Sequence, residues 1–319
     1  MKKLFLLLSA FVISLGLSAC GGPEEKIIMG EGNWNSFVFH NQVAKIIIEE
    51  GYDYSVDIVP ADTNVLIPSL KEGDVDIAME IWSDNIPTYD EDIKNGAYVE
   101  LSTNFDDNRQ GLYIPAYLQE EYPELISVRD LLDYPNLFPN PEGGDKSVIY
   151  GGPEGWSATT HLHDKMEAYG LNEEFVFKTI DSSSTLNASL AGAYANEEPW
   201  VGYNWEPTWA LGMYDMVLLE DSAYSAEDFE AGIGAFPSVD VNVVVNTEFA
   251  DTYPELNTFL SNYETTSDIT SEALAYMQDN DDDTGELAAI YFLTNYENLW
   301  SEWVTDEAYN NVMDYINNK

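Results

Sequence analysis

From Lys26 onward the apolar positions change period repeatedly, and each change predicts an element. Lys26–Met29 is a short apolar run that stops at Gly30-Glu31-Gly32-Asn33, a strand followed by a turn. Asn35 or Ser36 then caps a helix whose apolar positions include Val43, Ile46, Ile47 and Ile48, and Gly51 ends it. Residues 54–59 alternate as a second strand. Thr63 or Asn64 opens a second helix through Leu66, Ile67 and Leu70, which stops at Gly73. Residues 74–82 alternate clearly as a third strand ending in Trp82. Strands and helices joined by short turns predict α/β layers with parallel strands, whose ligands sit at the carboxyl ends of the strands.

The run Gly111-Leu112-Tyr113-Ile114-Pro115 is apolar, but its proline argues against a central strand. A second α/β portion follows, with strands at 147–150 and 200–205 and a helix over 157–169. Another β-branched run, residues 241–246, precedes a tail that reads as mainly helical. Two lobes joined by two crossing strands account for this layout. The expected division is residues 26–112 plus 245–319 for the first lobe and 113–244 for the second. No internal repeat is evident.

The amino terminus changes the picture of where the chain works. Lys2 and Lys3 precede a short apolar core from Leu4 to Leu17, and Leu17-Ser18-Ala19-Cys20 follows, so residues 1–19 read as a secretory signal peptide. The residues before Cys20 resemble a bacterial lipobox, which implies cleavage before Cys20 and its lipidation, with residues 20–25 as a tether. Cys20 is the single cysteine, so no intramolecular disulfide is expected. Export with a lipid anchor on the outer face of the cell membrane is the expectation, with the body a monomer.

The charge balance is 12 Lys and Arg against 58 Asp and Glu, which repels polyanions and excludes nucleic acid as a partner. The acids are spread along the whole chain, a pattern that suits a solvated surface in high salt.

Eight Trp and 21 Tyr are a heavy aromatic load. Trp300 and Trp303 lie inside a late helix and read as core. Trp34, Trp82, Trp156 and Trp205 instead lie at turns, where a large ring makes sense as a cleft wall. Indole faces attract cations, and quaternary ammonium groups in aromatic cages are the recurrent use. The Gly155-Trp156-Ser157 turn opens a helix, so backbone N–H groups and the positive dipole end are expected there, suited to a carboxylate. A zwitterion with a quaternary nitrogen fits both. Tyr113, on the expected hinge, reads as an edge of the cleft; Tyr203 ranks lower, and Trp209 reads as a support behind Trp205.

These segments carry a resemblance. Gly51-Tyr52, Gly73-Asp74-Val75-Asp76 with Trp82, residues 111–115, residues 153–157, Tyr169-Gly170-Leu171 and Trp205-Glu206-Pro207-Thr208-Trp209 are similar to the substrate-binding proteins of glycine betaine, proline betaine and choline ABC transporters. The resemblance covers essentially the whole chain after the leader. It implies a two-lobed periplasmic-binding-protein fold (type II-like), and delivery of glycine betaine to an ABC permease served by a cytoplasmic ATPase. It also implies that Trp82, Trp156 and Trp205 are cage residues, that Trp34 matches an N-terminal Trp of choline-binding relatives, and that Ser157 and Ala158 hold the carboxylate. Some betaine binders place a His four residues beyond the first cage Trp; here it is Ile86, so Asn35 or Ser36, and then His161, are the alternatives for a second carboxylate contact. Choline and carnitine remain alternative ligands.

Other chemistries fit less well. His161 and His163 would diverge on a helix, so no metal is expected, and no cofactor. Residues 279–285 resemble a calcium loop, but Ile290 takes the closing acidic position, and an acidic helix cap is expected instead. A secreted carbohydrate-active enzyme would use Trp platforms and paired acids, yet 58 acids make pairs unavoidable.

Overall fold

The computed structural model describes residues 26–319 apart from 62, 87 and 155. The signal peptide, Cys20 and the tether lie outside the described residues. Among the described residues ten strands run β1 Ile27–Glu31, β2 Val56–Pro60, β3 Ile77–Trp82, β4 Val99–Phe105, β5 Gln110–Pro115, β6 Ser147–Gly151, β7 Phe175–Thr179, β8 Gly202–Trp205, β9 Met216–Leu218 and β10 Val241–Val245. They form two five-stranded sheets with interleaved helices, in the orders β2-β1-β3-β10-β4 and β7-β6-β8-β5-β9. The fold is α/β and two-lobed.

The two sheets repeat one plan. In each, the first three strands in chain order after the lobe begins its βαβ run pair in parallel: β1 with β2 and β3, and β6 with β7 and β8. The fourth position is taken by the first strand laid down after the chain crosses from the other lobe. β10 runs antiparallel to β3 and β4, and β5 antiparallel to β8 and β9. A strand that arrives from the neighbouring lobe enters from the opposite end, so each sheet is mixed where the sequence pattern predicts parallel layers.

Two corrections follow. Residues 111–115 belong to an internal strand, because Pro115 is its last residue, where a missing N–H costs the ladder little. The lobe boundaries expected at 112/113 and 244/245 fall inside strands. Gln110–Leu112 pair with the second sheet and Val241–Val244 with the first. The chain therefore crosses between β4 and β5 and again just before β10. Asn108 ties these crossings together: its Nδ2 donates to the Val239 carbonyl at 2.5 Å, its Oδ1 accepts from the Val239 N–H at 3.0 Å, and the Ser238 hydroxyl donates to its carbonyl at 2.8 Å.

Each lobe has its own core. Phe37, Phe39, Phe259, Phe292, Trp300 and Trp303 anchor the first; Leu112, Phe138, Phe175, Trp200 and Tyr203 anchor the second. Trp209 packs against both cores. The acidic run at 279–285 caps the helix Glu286–Asn295: buried Asp282 accepts from the Ala288 N–H at 3.0 Å and the Thr284 N–H at 3.2 Å. Asp282→Ala should therefore cost about 0.5–2 kcal/mol in a urea melt, with no dependence on added calcium.

Candidate functional site

All four turn tryptophans fall on the plan that the lobes share. Trp34 follows β1 and Trp156 follows β6, and each is the N-cap of the next helix, Asn35–Ile46 and Ser157–Ala168. Trp82 and Trp205 are the last residues of β3 and β8, the third parallel strand of each lobe. Each lobe thus supplies one ring from the first strand-to-helix turn of its parallel run and one from the end of the third strand of that run. Glycine makes room for the first of these: a Cβ on Gly32 would lie 2.3 Å from the Trp34 ring, and one on Gly152 2.4 Å from the Trp156 ring. The indoles lie down on bare backbone.

The two lobes fix their rings by different means. In the first, Trp34 Nε1 and Trp82 Nε1 both donate to Oε1 of Glu80, at 2.7 and 2.9 Å, and the Ser36 hydroxyl donates to the same oxygen at 2.9 Å. In the second, Trp156 meets Trp205 edge to face with centroids 5.2 Å apart, and Tyr203 stacks on Trp205 at 5.7 Å. Glu80 and Tyr203 each stand two residues before the terminal Trp of their strand, hence on the same face. Asn204, fully buried, pins the turn after Trp205: its Nδ2 donates to Asn187 at 2.8 Å and its Oδ1 accepts from the Trp205 N–H at 2.9 Å. Glu206 is held by both Arg109 Nε and a terminal guanidinium nitrogen, at 2.9 and 2.8 Å.

The rings of both lobes line a single cavity of about 830 Å³. Asn35, Ala158, Ser183, Tyr203, Phe229 and Phe236 complete much of its wall. Its chemistry is divided. Aromatic faces form one set of surfaces. The other comes from helix starts: those of Asn35–Ile46, Ser157–Ala168 and Ser183–Ala195 all open on the cavity. First-turn N–H groups have no intrahelical acceptor, and Trp156 as N-cap offers none from its side chain. That leaves donors and a positive dipole end at the Ser157–Ala158 turn.

Of the residues singled out from sequence, Trp34, Asn35, Ser36, Trp82, Trp156, Ala158, Tyr203, Trp205 and Trp209 line this cavity. Ser157 is the first residue of its helix. Tyr113 does not reach the cavity wall: it is buried on β5, facing Arg109, because the strand turns its phenol to the opposite side. The Ser36 hydroxyl is committed to Glu80, and Ile86 packs against the first core. His161 stacks on Phe229 at 3.7 Å and is not part of the cavity wall; burial lowers its pKa to about 4, which keeps it neutral at pH 7. Glu80, Phe229 and Phe236 were not singled out. Glu80 reads in sequence as one more acid in an alternating strand, and the phenylalanines sit in a polar stretch with no periodicity.

Among the described residues there is no group of three or more His, Cys, Asp or Glu that could hold a metal ion, and no helix long and apolar enough to cross a membrane. Residues 25–295 match the OpuAC family, the substrate binding domain of ABC-type glycine betaine transport systems. A trimethylamine N-oxide-binding protein from Pelagibacter ubique is 25% identical over 316 residues, covering 94% of this chain and 99% of the relative. The crystal structure of the glycine betaine/L-proline-binding protein from Borrelia burgdorferi superposes with a TM-score of 0.61 at 19% identity, covering 90% of this chain and 100% of the other. Lactococcal OpuAC, in its closed form with glycine betaine, gives 0.61 at 18% identity over 88% of this chain and 100% of its own.

Proposed function

Because the chain belongs to the family of substrate-binding domains of ABC-type glycine betaine transport systems, we propose that it captures a quaternary-ammonium osmolyte, glycine betaine in the first place, and delivers it to an ABC permease. Members of this family bind solutes and are not enzymes, which sets aside the glycan-cleaving reading. The observation that carries the proposal is the placement of Trp34, Trp82, Trp156 and Trp205 around one cavity, a pair from each lobe. A trimethylated nitrogen donates no N–H hydrogen bond, so ring faces serve it as well as carboxylates do. The helix start at Ser157–Ala158 supplies the other end of a betaine with N–H donors.

No bond is made or broken. A ligand held by one lobe completes its cage only when the other pair of rings closes over it, and that differential contact shifts the population toward the closed form. Cys20 tethers the protein by lipid to the outer face of the membrane, within reach of its permease; Cys20→Ser should release it into the medium.

Titration of the purified protein with glycine betaine should give a saturable change in tryptophan fluorescence, and sugars should give none. Trp82→Ala and Trp205→Ala should each weaken binding by about 1–3 kcal/mol in calorimetry. Trimethylamine N-oxide, for which the Pelagibacter relative is named, carries the same trimethylated nitrogen without a carboxylate. It is the informative competitor: a preference for it over betaine would remove the role given to the Ser157–Ala158 turn. Silence toward betaine, choline, carnitine and the N-oxide alike would overturn the cage.

A further inference from the structure

Glu80 is an acid where the fold has no structural need of one. It is 1% exposed, on a central strand whose neighbours are apolar. Burial raises its pKa to about 7, against the pull of three hydrogen-bond donors toward the charged form. Its Oε1 accepts from Trp34, Trp82 and Ser36, while its Oε2 is buried without a hydrogen-bond partner. The matching position in the second lobe, two residues before Trp205, is Tyr203, which supports its ring by stacking alone. An apolar or aromatic residue could therefore have supported Trp82 in the same way. A buried carboxylate costs desolvation, and that cost needs a return.

Resting on the betaine reading above, we propose that Glu80 is the positioning residue of the cage. It gathers both indoles of the first lobe onto one oxygen, and the negative charge of its ionised form makes that half-cage the seat of the ligand's cationic nitrogen. Two effects act in the same direction. An N–H bound to a carboxylate pushes electron density into the indole ring and deepens the negative potential of its face. The charge itself attracts a cation across a dry wall, where screening by water is weak. The half-cages are thus unequal: the first is charge-backed and the second is held by packing. The ligand has one orientation, nitrogen toward Trp34 and Trp82 and carboxylate toward the Ser157–Ala158 helix start.

Glu80→Gln separates charge from shape, because an amide oxygen still accepts from both indoles. The test compares glycine betaine with 3,3-dimethylbutanoate, its isostere with a neutral quaternary carbon in place of nitrogen, by calorimetry on parent and variant. The variant should bind betaine about tenfold more weakly and the isostere equally well or better. Glu80→Leu, which frees the rings, should weaken both ligands. Equal losses for the two ligands in Glu80→Gln would reduce Glu80 to a structural prop and overturn the proposal, as would an unchanged betaine affinity. If the parent binds neither betaine nor tetramethylammonium, the cage reading itself fails and this inference with it. A Glu80→Gln protein that no longer melts cooperatively would show that the carboxylate serves folding, and would equally overturn the proposal.

Discussion

Trp300→Ala should lower the free energy of unfolding by about 3–5 kcal/mol and leave betaine affinity at the parent value. Trp300 is fully buried, its Nε1 donates to the Leu293 carbonyl at 2.7 Å, and its ring packs against Tyr309 at 5.3 Å. It therefore welds the helix Glu286–Asn295 to the last helix, Asp306–Asn317, at the edge of the first core. Truncation removes the largest side chain of that junction, opens a cavity, and strips a helix-end carbonyl of its donor. None of this touches the ligand cavity, whose wall does not include Trp300. Urea denaturation followed by circular dichroism, with calorimetry for betaine on the same sample, checks both halves. A stable variant, or one that loses affinity in proportion to stability, would contradict the separation of core tryptophans from cavity tryptophans.

Lys165→Ala should cost as much, and here binding should suffer too. Lys165 is 3% exposed and donates to Asp221 at 2.5 Å and to the Gly234 carbonyl at 2.6 Å. Burial lowers its pKa, opposed by its hydrogen bond to Asp221. The Tyr169 hydroxyl joins the same knot, bonded to Asp221 and accepting from the Gly234 N–H, and the Arg129 guanidinium lies 3.9 Å over the Tyr169 ring. Removing the ammonium leaves Asp221 buried without its cation, a change worth about 3–5 kcal/mol. The knot also fixes both ends of the segment that brings Phe229 and Phe236 to the cavity wall. Thermal melts should show the loss of stability, and betaine titrations a weaker fit. Converting Asp221→Asn in the same chain should recover part of the stability, because the uncompensated charge is gone; no recovery would mean that the ion pair is not what Lys165 provides.

The legible parts of this molecule were those governed by short-range pattern. β1, β3, the helix Thr63–Glu72 and the helix Ser157–Ala168 show their periods and their glycine stops, and the four cavity-lining rings could be found because a Trp at a turn is out of place. β4 and β9 were not legible. Residues 99–105 alternate apolar and polar only from Val99 to Ser102, and their strand partner is β10, which arrives from the other lobe. Glu80 was hidden for a related reason: its meaning comes from Trp34, which lies 46 residues away and meets it only across the sheet. Tyr113 was misread because proximity to a crossing does not say to which side a strand turns a given residue. The repeated plan of the two lobes was invisible too, since it is a likeness of strand order and of Trp placement, and not of sequence.

Asn108 sets the mechanics of the whole device. Two separate linkers would let the lobes twist, shear and swing independently; two linkers laced to each other by a buried amide act as one joint. Of the rigid-body freedoms between the lobes, rotation about the axis of that joint is the one left soft. If the lobes close over a solute as proposed, the arc that carries Trp156 and Trp205 toward Trp34 and Trp82 turns on a joint in the cavity's own wall, which Asn108 and Val239 line, and the final gap between the pairs gauges solute size.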